Sequence, residues 1–427
     1  MTDAKFGVLD APKWPAFKPD RPQPPLRPLW RRLLHWGPIL AITVTLQIGM
    51  SALYVHQQWW PLTTVAAWLH ITVFLIWNYL TLTNLCSAAY VGPGYVPLGW
   101  RPPTAADEAK LQWCGVCEGF KAPRSHHCRK CNRCTMKMDH HCPWVNNCTG
   151  HKNHAYFVRF LASAVVGCTH AAIILGASIY RAIFRVWYLY YGTGKEPIVE
   201  LGLYGLISTI FAFGLAIGVI FSVGFLLYVQ LKSIYRNRTG IEDYIMDKVD
   251  CRERTDTFVY PYSLGWRRNA AEVLGTWSGQ PKGDGMWWPV VDTCDQFTLT
   301  LEQIAQKESK RQRSRVYVIV RDYSGRICTL WHGVPTLCCQ PFSDEARIVV
   351  KPGQHYMITR ATKYWLYGDL LIPGGSPDAP EPSEASAKVL HGADIGSNRH
   401  RGWFPRSCAR RVSDVVVTRP KEPKKLR

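Results

Sequence analysis

The window 113–154, WCGVCEGFKAPRSHHCRKCNRCTMKMDHHCPWVNNCTGHKNH, limits what this chain can fold into more than any other stretch. The protein has fifteen cysteines, and this window holds Cys114, Cys117, Cys128, Cys131, Cys134, Cys142 and Cys148. His126, His127, His140, His141, His151 and His154 sit among them. Cysteines at CxxC spacing beside histidines are metal-ligand chemistry, because a tight turn lets two thiolates converge on one tetrahedral Zn²⁺. A disulfide framework is the competing reading, but it suits short secreted chains, and nothing here reads as a cleaved secretory signal.

Two closed tetrahedral sites need eight ligands. Built as two Cys3His sites, they use six cysteines and two histidines and leave one thiol over. Cys142 is the candidate, since it follows Asp139-His140-His141. A carboxylate that orients a histidine facing a thiol generates a thiolate nucleophile near neutral pH. The plain alternative makes Cys142 one more zinc ligand or an inert thiol.

These residues resemble the cysteine-rich domain of the DHHC-type protein S-acyltransferases (palmitoyltransferases). The resemblance rests on Cys114-x-x-Cys117, Pro-Arg-Ser-His-His-Cys ending at Cys128, Cys131 and Cys134. It continues through Asp139-His-His-Cys-Pro-Trp144, Asn147-Cys-x-Gly150, Asn153 and Phe157. It implies two structural Zn²⁺ in interleaved sites, one on Cys114, Cys117, His127 and Cys134, the other on Cys128, Cys131, His141 and Cys148. His140, oriented by Asp139, then serves Cys142. The implied reaction moves a long-chain acyl group from palmitoyl-CoA to Cys142, and on to cysteines of membrane protein substrates. Lys121, Arg124, Arg129 and Lys130 are candidates for the CoA phosphates, with a solvated or lipid-headgroup face as the ordinary reading.

Lysine plus arginine exceed acids by 51 to 31 in 427 residues, a net charge of +20. That excess admits nucleic acid or an anionic membrane surface as partner. Long, nearly charge-free apolar segments decide for membrane lipid and against nucleic acid. Spans are expected over 37–55, 62–85, 155–180 and 203–229, each close to the ~20 residues that cross the hydrocarbon layer. Trp59, Trp60, Trp187 and Tyr188 flank them as interfacial aromatics. His170, inside the third, is read as a histidine facing a neighbouring helix.

The expected order is a Pro-rich basic, disordered segment (1–32), spans one and two (33–86), the zinc domain (87–154), and spans three and four (155–230). A connector (231–312) follows, with a polar helix at 299–310. The basic balance puts the zinc domain and both termini in the cytosol. In the connector, Thr239-Gly240-Ile241-Glu242 resembles the family's Thr-Thr-x-Glu motif, with Gly240 as the departure. Tyr260-Pro-Tyr through Asn269 resembles its carboxy-terminal element. Glu242 and Asn269 are read as structural supports.

From 313 to 412 the pattern becomes period-two strands broken by Gly and Pro: Val316-Tyr-Val-Ile-Val320, Arg347-Ile-Val-Val350, Tyr356-Met-Ile-Thr359 and Tyr364-Trp-Leu-Tyr-Gly368. This resembles an SH3-like β-barrel with an insertion at 371–400 and a binding site for a protein partner. Its groove is depleted, with Arg321, Tyr364 and Cys408 at the customary aromatic positions. Such a domain marks the endoplasmic-reticulum branch of the family. Cys338 and Cys339 are candidate S-acylation sites. The tail 413–427 ends with Lys424 and Lys425, which resemble a dilysine retrieval signal of endoplasmic-reticulum membrane proteins. The expectation is therefore a four-span α-helical membrane acyltransferase with a two-zinc domain and an SH3-like barrel. A membrane-tethered zinc-finger adaptor without catalysis is the alternative, and it gives the spare thiol no task.

Overall fold

The computed structural model describes residues 7–12, 17, 19, 22–24, 28–250, 252, 257–275, 279–343, 345–371 and 401–412. The chain divides into two compact units, Met1–Gln303 and Ile304–Arg427.

The first unit opens with strand β1 (Val8–Leu9) and helices α1 (Leu29–Leu33), α2 (Trp36–Trp59), α3 (Val65–Val91) and α4 (Ala105–Glu108). Three short hairpins follow: β2 (Trp113–Cys114) with β3 (Gly119–Phe120), β4 (His126–Cys128) with β5 (Arg133–Thr135), and β6 (His140–Cys142) with β7 (Asn147–Thr149). Then come α5 (His154–Ile183), α6 (Arg185–Tyr191), α7 (Leu203–Arg236), α8 (Gly240–Val249), α9 (Trp266–Leu274) and β8 (Val290–Val291), and α10 (Thr298–Gln312) begins in this unit and runs past its end at Gln303.

Helices α2, α3, α5 and α7 are long and apolar enough to cross a membrane, and among the described residues they are the four that are. At 1.5 Å per residue even α2, with 24 residues, reaches about 36 Å, more than the ~30 Å hydrocarbon layer. Their outward faces carry exposed Ile173, Phe221, Phe225 and Leu231, side chains that lipid solvates and water does not. Small residues and branched aliphatics (Ala52, Ile71, Ala171, Ile174, Ala212, Ala216) close the inner faces. The protein is a multi-pass membrane protein. His170 on α5 meets His70 on α3 at 3.0 Å, and His70 meets His56 on α2 at 2.9 Å, so His170 does face a neighbouring helix.

The expected extended segment 1–32 departs from a free arm where it is described. Val8 and Leu9 pair antiparallel with Val291 and Val290, and α1 begins at Leu29. The buried strand β8 has backbone groups that need partners, and β1 supplies them.

In the second unit, β9 (Arg315–Ile319), β10 (Tyr323–Ser324), α11 (Val334–Cys338), β11 (Val349–Val350), β12 (His355–Ala361), β13 (Trp365–Leu371), β14 (Arg401–Pro405) and β15 (Ala409–Arg411) succeed one another. Five strands form one antiparallel sheet in the order β14-β13-β12-β9-β15, while β10 and β11 pair separately. The closed barrel expected from the sequence is not among these pairings: among the described residues no ladder joins β14 to β15. A 3-10 turn, Arg406–Cys408, occupies the junction between those two strands and breaks the pairing there. Tyr356, Trp365, Tyr367, Phe404 and Cys408 fill the core of this unit. The insertion 372–400 and the tail with Lys424 and Lys425 lie outside the described residues.

Candidate active site

Each hairpin of the window turns through one non-glycine residue in the left-handed region: Glu118, Asn132 and Asn146. In the first two hairpins such a turn folds a CxxC back on itself and leaves both thiols on one side. The register then pairs His127 with Cys134 and His141 with Cys148 across their hairpins. Each ligand set therefore borrows from two hairpins. Cys114 and Cys117 meet His127 and Cys134, while Cys128 and Cys131 meet His141 and Cys148.

Within each set the donor atoms lie within 4.8 Å of one another. His127 Nδ1 stands 3.5, 3.5 and 3.9 Å from the sulfurs of Cys114, Cys117 and Cys134. His141 Nδ1 stands 3.6, 3.4 and 3.7 Å from those of Cys128, Cys131 and Cys148. A tetrahedral zinc with ordinary bond lengths sets S and N about 3.6 Å apart, so both sets fit a metal ion. Six cysteines of the window are thereby used, and Cys142 belongs to neither set.

Cys142 ends β6, buried among Leu85, Ala88, Ala89, Val145, Phe157, Phe160 and Leu161. Phe157, Phe160 and Leu161 also line an apolar cavity of about 280 Å³ among α2, α3, α5 and α7, where Ile48, Phe74, Ala164 and Cys168 lie deeper and Trp144 comes from the turn after Cys142. The thiol thus sits against the wall of a greasy chamber inside the helix bundle.

His140 Nδ1 donates to Asp139 Oδ2 at 2.7 Å, and its ring lies edge-on to Phe157. Burial alone pulls the His140 pKa down, but the hydrogen bonds to Asp139 and Cys142 prevail and raise it to about 10. Asp139 is buried, which favours its neutral form. The His140 hydrogen bond and the backbone N–H of Gly240 outweigh that and hold the carboxyl well below the usual carboxylate range. The Gly240 contact is 2.7 Å to Oδ1, and Gln230 Nε2 donates to Oδ2 at 3.0 Å.

Behind the triad lies a second polar centre. Arg124 Nε and Nη2 reach the two Glu242 oxygens at 2.7 Å each, and both side chains are buried. Its remaining donors meet the Asn237 side chain and carbonyl, and its face rests on Tyr262 and Trp288. Arg124 is consequently withdrawn from the set of candidate phosphate ligands, because all its donors point into the protein. Glu242 also closes a capping box with Thr239 at the start of α8, which fixes the Gly240 N–H on Asp139. Asn269 Nδ2 donates to the Tyr235 carbonyl and its Oδ1 accepts from Leu264 N–H, tying α9 to the end of α7.

Motif reading missed Gln230 and its neighbour His154, which touch Asp139 directly or through one another. The only sequence signal for Gln230 is an amide in the apolar run of α7. In the second unit Cys338 and Cys339 are exposed, as is Cys328, whereas Cys408 is buried and is no groove residue.

Fold and site together define a membrane-embedded acyltransferase, and the chain belongs to the DHHC palmitoyltransferase family. The family profile described as DHHC palmitoyltransferase matches residues 107–246. Palmitoyltransferase ZDHHC6 of Mus musculus is 42% identical over 394 residues, 88% of this chain and 91% of the relative. Its Homo sapiens counterpart is 43% identical over 395 residues, with the same coverage. Probable protein S-acyltransferase 16 of Arabidopsis thaliana is 28% identical over 231 residues, 51% of this chain and 77% of the relative.

Proposed function

We propose that this enzyme transfers a palmitoyl group from palmitoyl-CoA to cysteines of membrane proteins through a thioester on Cys142. The observation that carries this is the placement of Cys142: outside both metal-ligand sets, beside the Asp139–His140 pair, and against the apolar cavity. His140 accepts the Cys142 proton, and the thiolate attacks the acyl-CoA carbonyl. The CoA thiolate leaves and takes up that proton. An acceptor cysteine then gives its proton to His140 and attacks the Cys142 thioester, which returns Cys142 as a thiol. The cavity holds the acyl chain in both steps.

Zinc on Cys114, Cys117, His127 and Cys134, and on Cys128, Cys131, His141 and Cys148, supplies folding free energy to a domain of two-residue and three-residue strands. Glu242 and Asn269 are supports that hold α8 and α9 against the site. The zinc domain and both termini face the cytosol. The order expected along the chain, 1–32, 33–86, 87–154, 155–230, 231–312, 313–412 and 413–427, is kept as the functional division.

The second unit is read as SH3-like. Pro405 and Ala409 bound the junction between the two opposite edges of a five-stranded sheet. Those edges would be about 19 Å apart if the sheet were flat, and four residue steps reach at most about 14 Å. A sheet curled toward closure accounts for so short a link. A protein partner is its expected ligand, exposed Cys338 and Cys339 are candidate S-acylation sites, and Lys424 and Lys425 direct retrieval to the endoplasmic reticulum.

The test is incubation of the purified protein with labelled palmitoyl-CoA. The expected result is a hydroxylamine-labile adduct that Cys142→Ser abolishes while two zincs per chain remain. Equal labelling of that variant overturns the assignment.

A further inference from the structure

We propose that Gln230, backed by His154, is a positioning residue for the reaction: it fixes the Asp139 carboxylate, and through it the His140 ring, in place of a side-chain donor that residue 240 lacks. The proposal rests on the reading of Cys142 as the acyl-enzyme nucleophile.

Asp139 accepts at both oxygens. Oδ1 takes the Gly240 N–H, and Oδ2 takes His140 Nδ1–H and Gln230 Nε2–H. Gln230 is buried in α7 and His154 is buried at the start of α5. The other end of the amide, Gln230 Oε1, accepts from His154 Nε2 at 2.9 Å. A carboxylate on one side and an imidazole N–H on the other leave one orientation for the side chain between them, which must donate forward and accept behind. A carboxamide does both. Two membrane helices are thereby clamped onto the carboxylate that aims His140.

The neighbourhood of residue 240 explains why the clamp is needed. Thr239-Gly240-Ile241-Glu242 departs from Thr-Thr-x-Glu at Gly240. A Cβ placed there would have Asp139 Oδ1 at 3.5 Å as its neighbour, so a threonine hydroxyl would reach the same carboxylate. This chain has only the backbone N–H at that position, and the side-chain donor to Asp139 comes from α7. Without Gln230, Oδ2 keeps a single donor. Apart from His140 itself, the carboxylate is then anchored by the Gly240 N–H alone and can pivot about that contact, and the His140 ring moves with it. Acyl-CoA binding, set by the cavity, is untouched.

The test uses the full-length protein in lipid nanodiscs, with labelled palmitoyl-CoA. It measures the initial rate of Cys142 adduct formation, its half-saturating acyl-CoA concentration, and zinc per chain. Gln230→Leu is expected to slow the rate at least tenfold, with the half-saturating concentration unchanged within twofold and zinc retained. Gln230→His can donate through one ring nitrogen and accept through the other. It should recover to within threefold of wild type, as should Gln230→Leu combined with Gly240→Thr. A Gln230→Leu rate within twofold of wild type overturns the proposal, and so does a slowed rate that neither change relieves, since a purely structural residue behaves that way. Should Gln230→Leu lose zinc, Gln230→Glu decides: it keeps the shape, sets a second carboxylate against Asp139, and is expected to be at least tenfold slow, whereas a wild-type rate overturns the proposal. No adduct in wild type removes the Cys142 reading and this one with it. A wild-type adduct with an unslowed Gln230 variant removes this one alone.

Discussion

The substitution Glu242→Gln isolates the worth of the buried Arg124 ion pair. Shape is kept, and the glutamine carbonyl can still close the capping box with Thr239, but the atom facing Arg124 Nε becomes an NH2 donor, so the change removes the charge opposite the guanidinium and one of its two hydrogen bonds. Arg124 keeps its bonds to Asn237 and its stacking on Tyr262 and Trp288, but its charge is then buried and uncompensated. Removing one partner of a fully buried, doubly bonded pair costs about 3–5 kcal/mol. At roughly 2–4 °C per kcal/mol for a unit of this size, the midpoint should fall by roughly 10 °C. Thermal unfolding of the detergent-solubilised protein, followed by tryptophan fluorescence, reads this directly. Arg124→Met in the same chain should return part of the loss, because no unpaired charge remains in the double variant. A midpoint within about 2 °C of wild type for Glu242→Gln would refute the reasoning, since so small a change means the guanidinium finds water.

Cys131→Ala or His141→Ala should reduce zinc to one per chain or prevent folding, while Cys142→Ser leaves two, as measured by metal analysis of the purified protein. A Cβ on Gly37 would lie 2.0 Å from the Pro143 carbonyl oxygen, so Gly37→Ala must push the 142–146 turn off α2. The expected cost is about 1–3 kcal/mol and a slower adduct at Cys142, seen by the same melting and labelling assays. Ala164→Phe, which projects a ring into the cavity, should shift donor preference from palmitoyl-CoA to shorter acyl-CoAs in a competition assay.

What the sequence made legible was whatever a short local pattern can encode. CxxC pairs and the seventh cysteine give two tetrahedral sites and a spare thiol, because metal geometry demands fixed spacing, while the division of the ligands between the sites comes from the family resemblance. Apolar length gives the spans, which begin within three residues of α2, α3, α5 and α7 and end three to seven residues short of them. The rest depends on partners far apart in the chain. Gln230 lies 91 residues from Asp139, and its role is set by the packing of α7 on the window, which no local motif records. Arg124 carries the same +1 charge as Lys121 and Arg129, and only its burial against Glu242, 118 residues on, separates an ion pair from a surface charge. Pairing of Val8–Leu9 with Val290–Val291 was hidden for the same reason. The strand order of the terminal sheet is likewise something that period-two alternation does not specify.

The most direct measurement of the central claim is a single turnover from isolated acyl-enzyme. The protein is loaded with labelled palmitoyl-CoA, freed of the donor by gel filtration, and mixed with a membrane-anchored peptide carrying one acceptor cysteine. The account predicts that label leaves Cys142 and arrives on the peptide with matching kinetics, one acyl group per labelled chain, with no donor added. Label that stays on Cys142 while the peptide is acylated only when palmitoyl-CoA is present would contradict it.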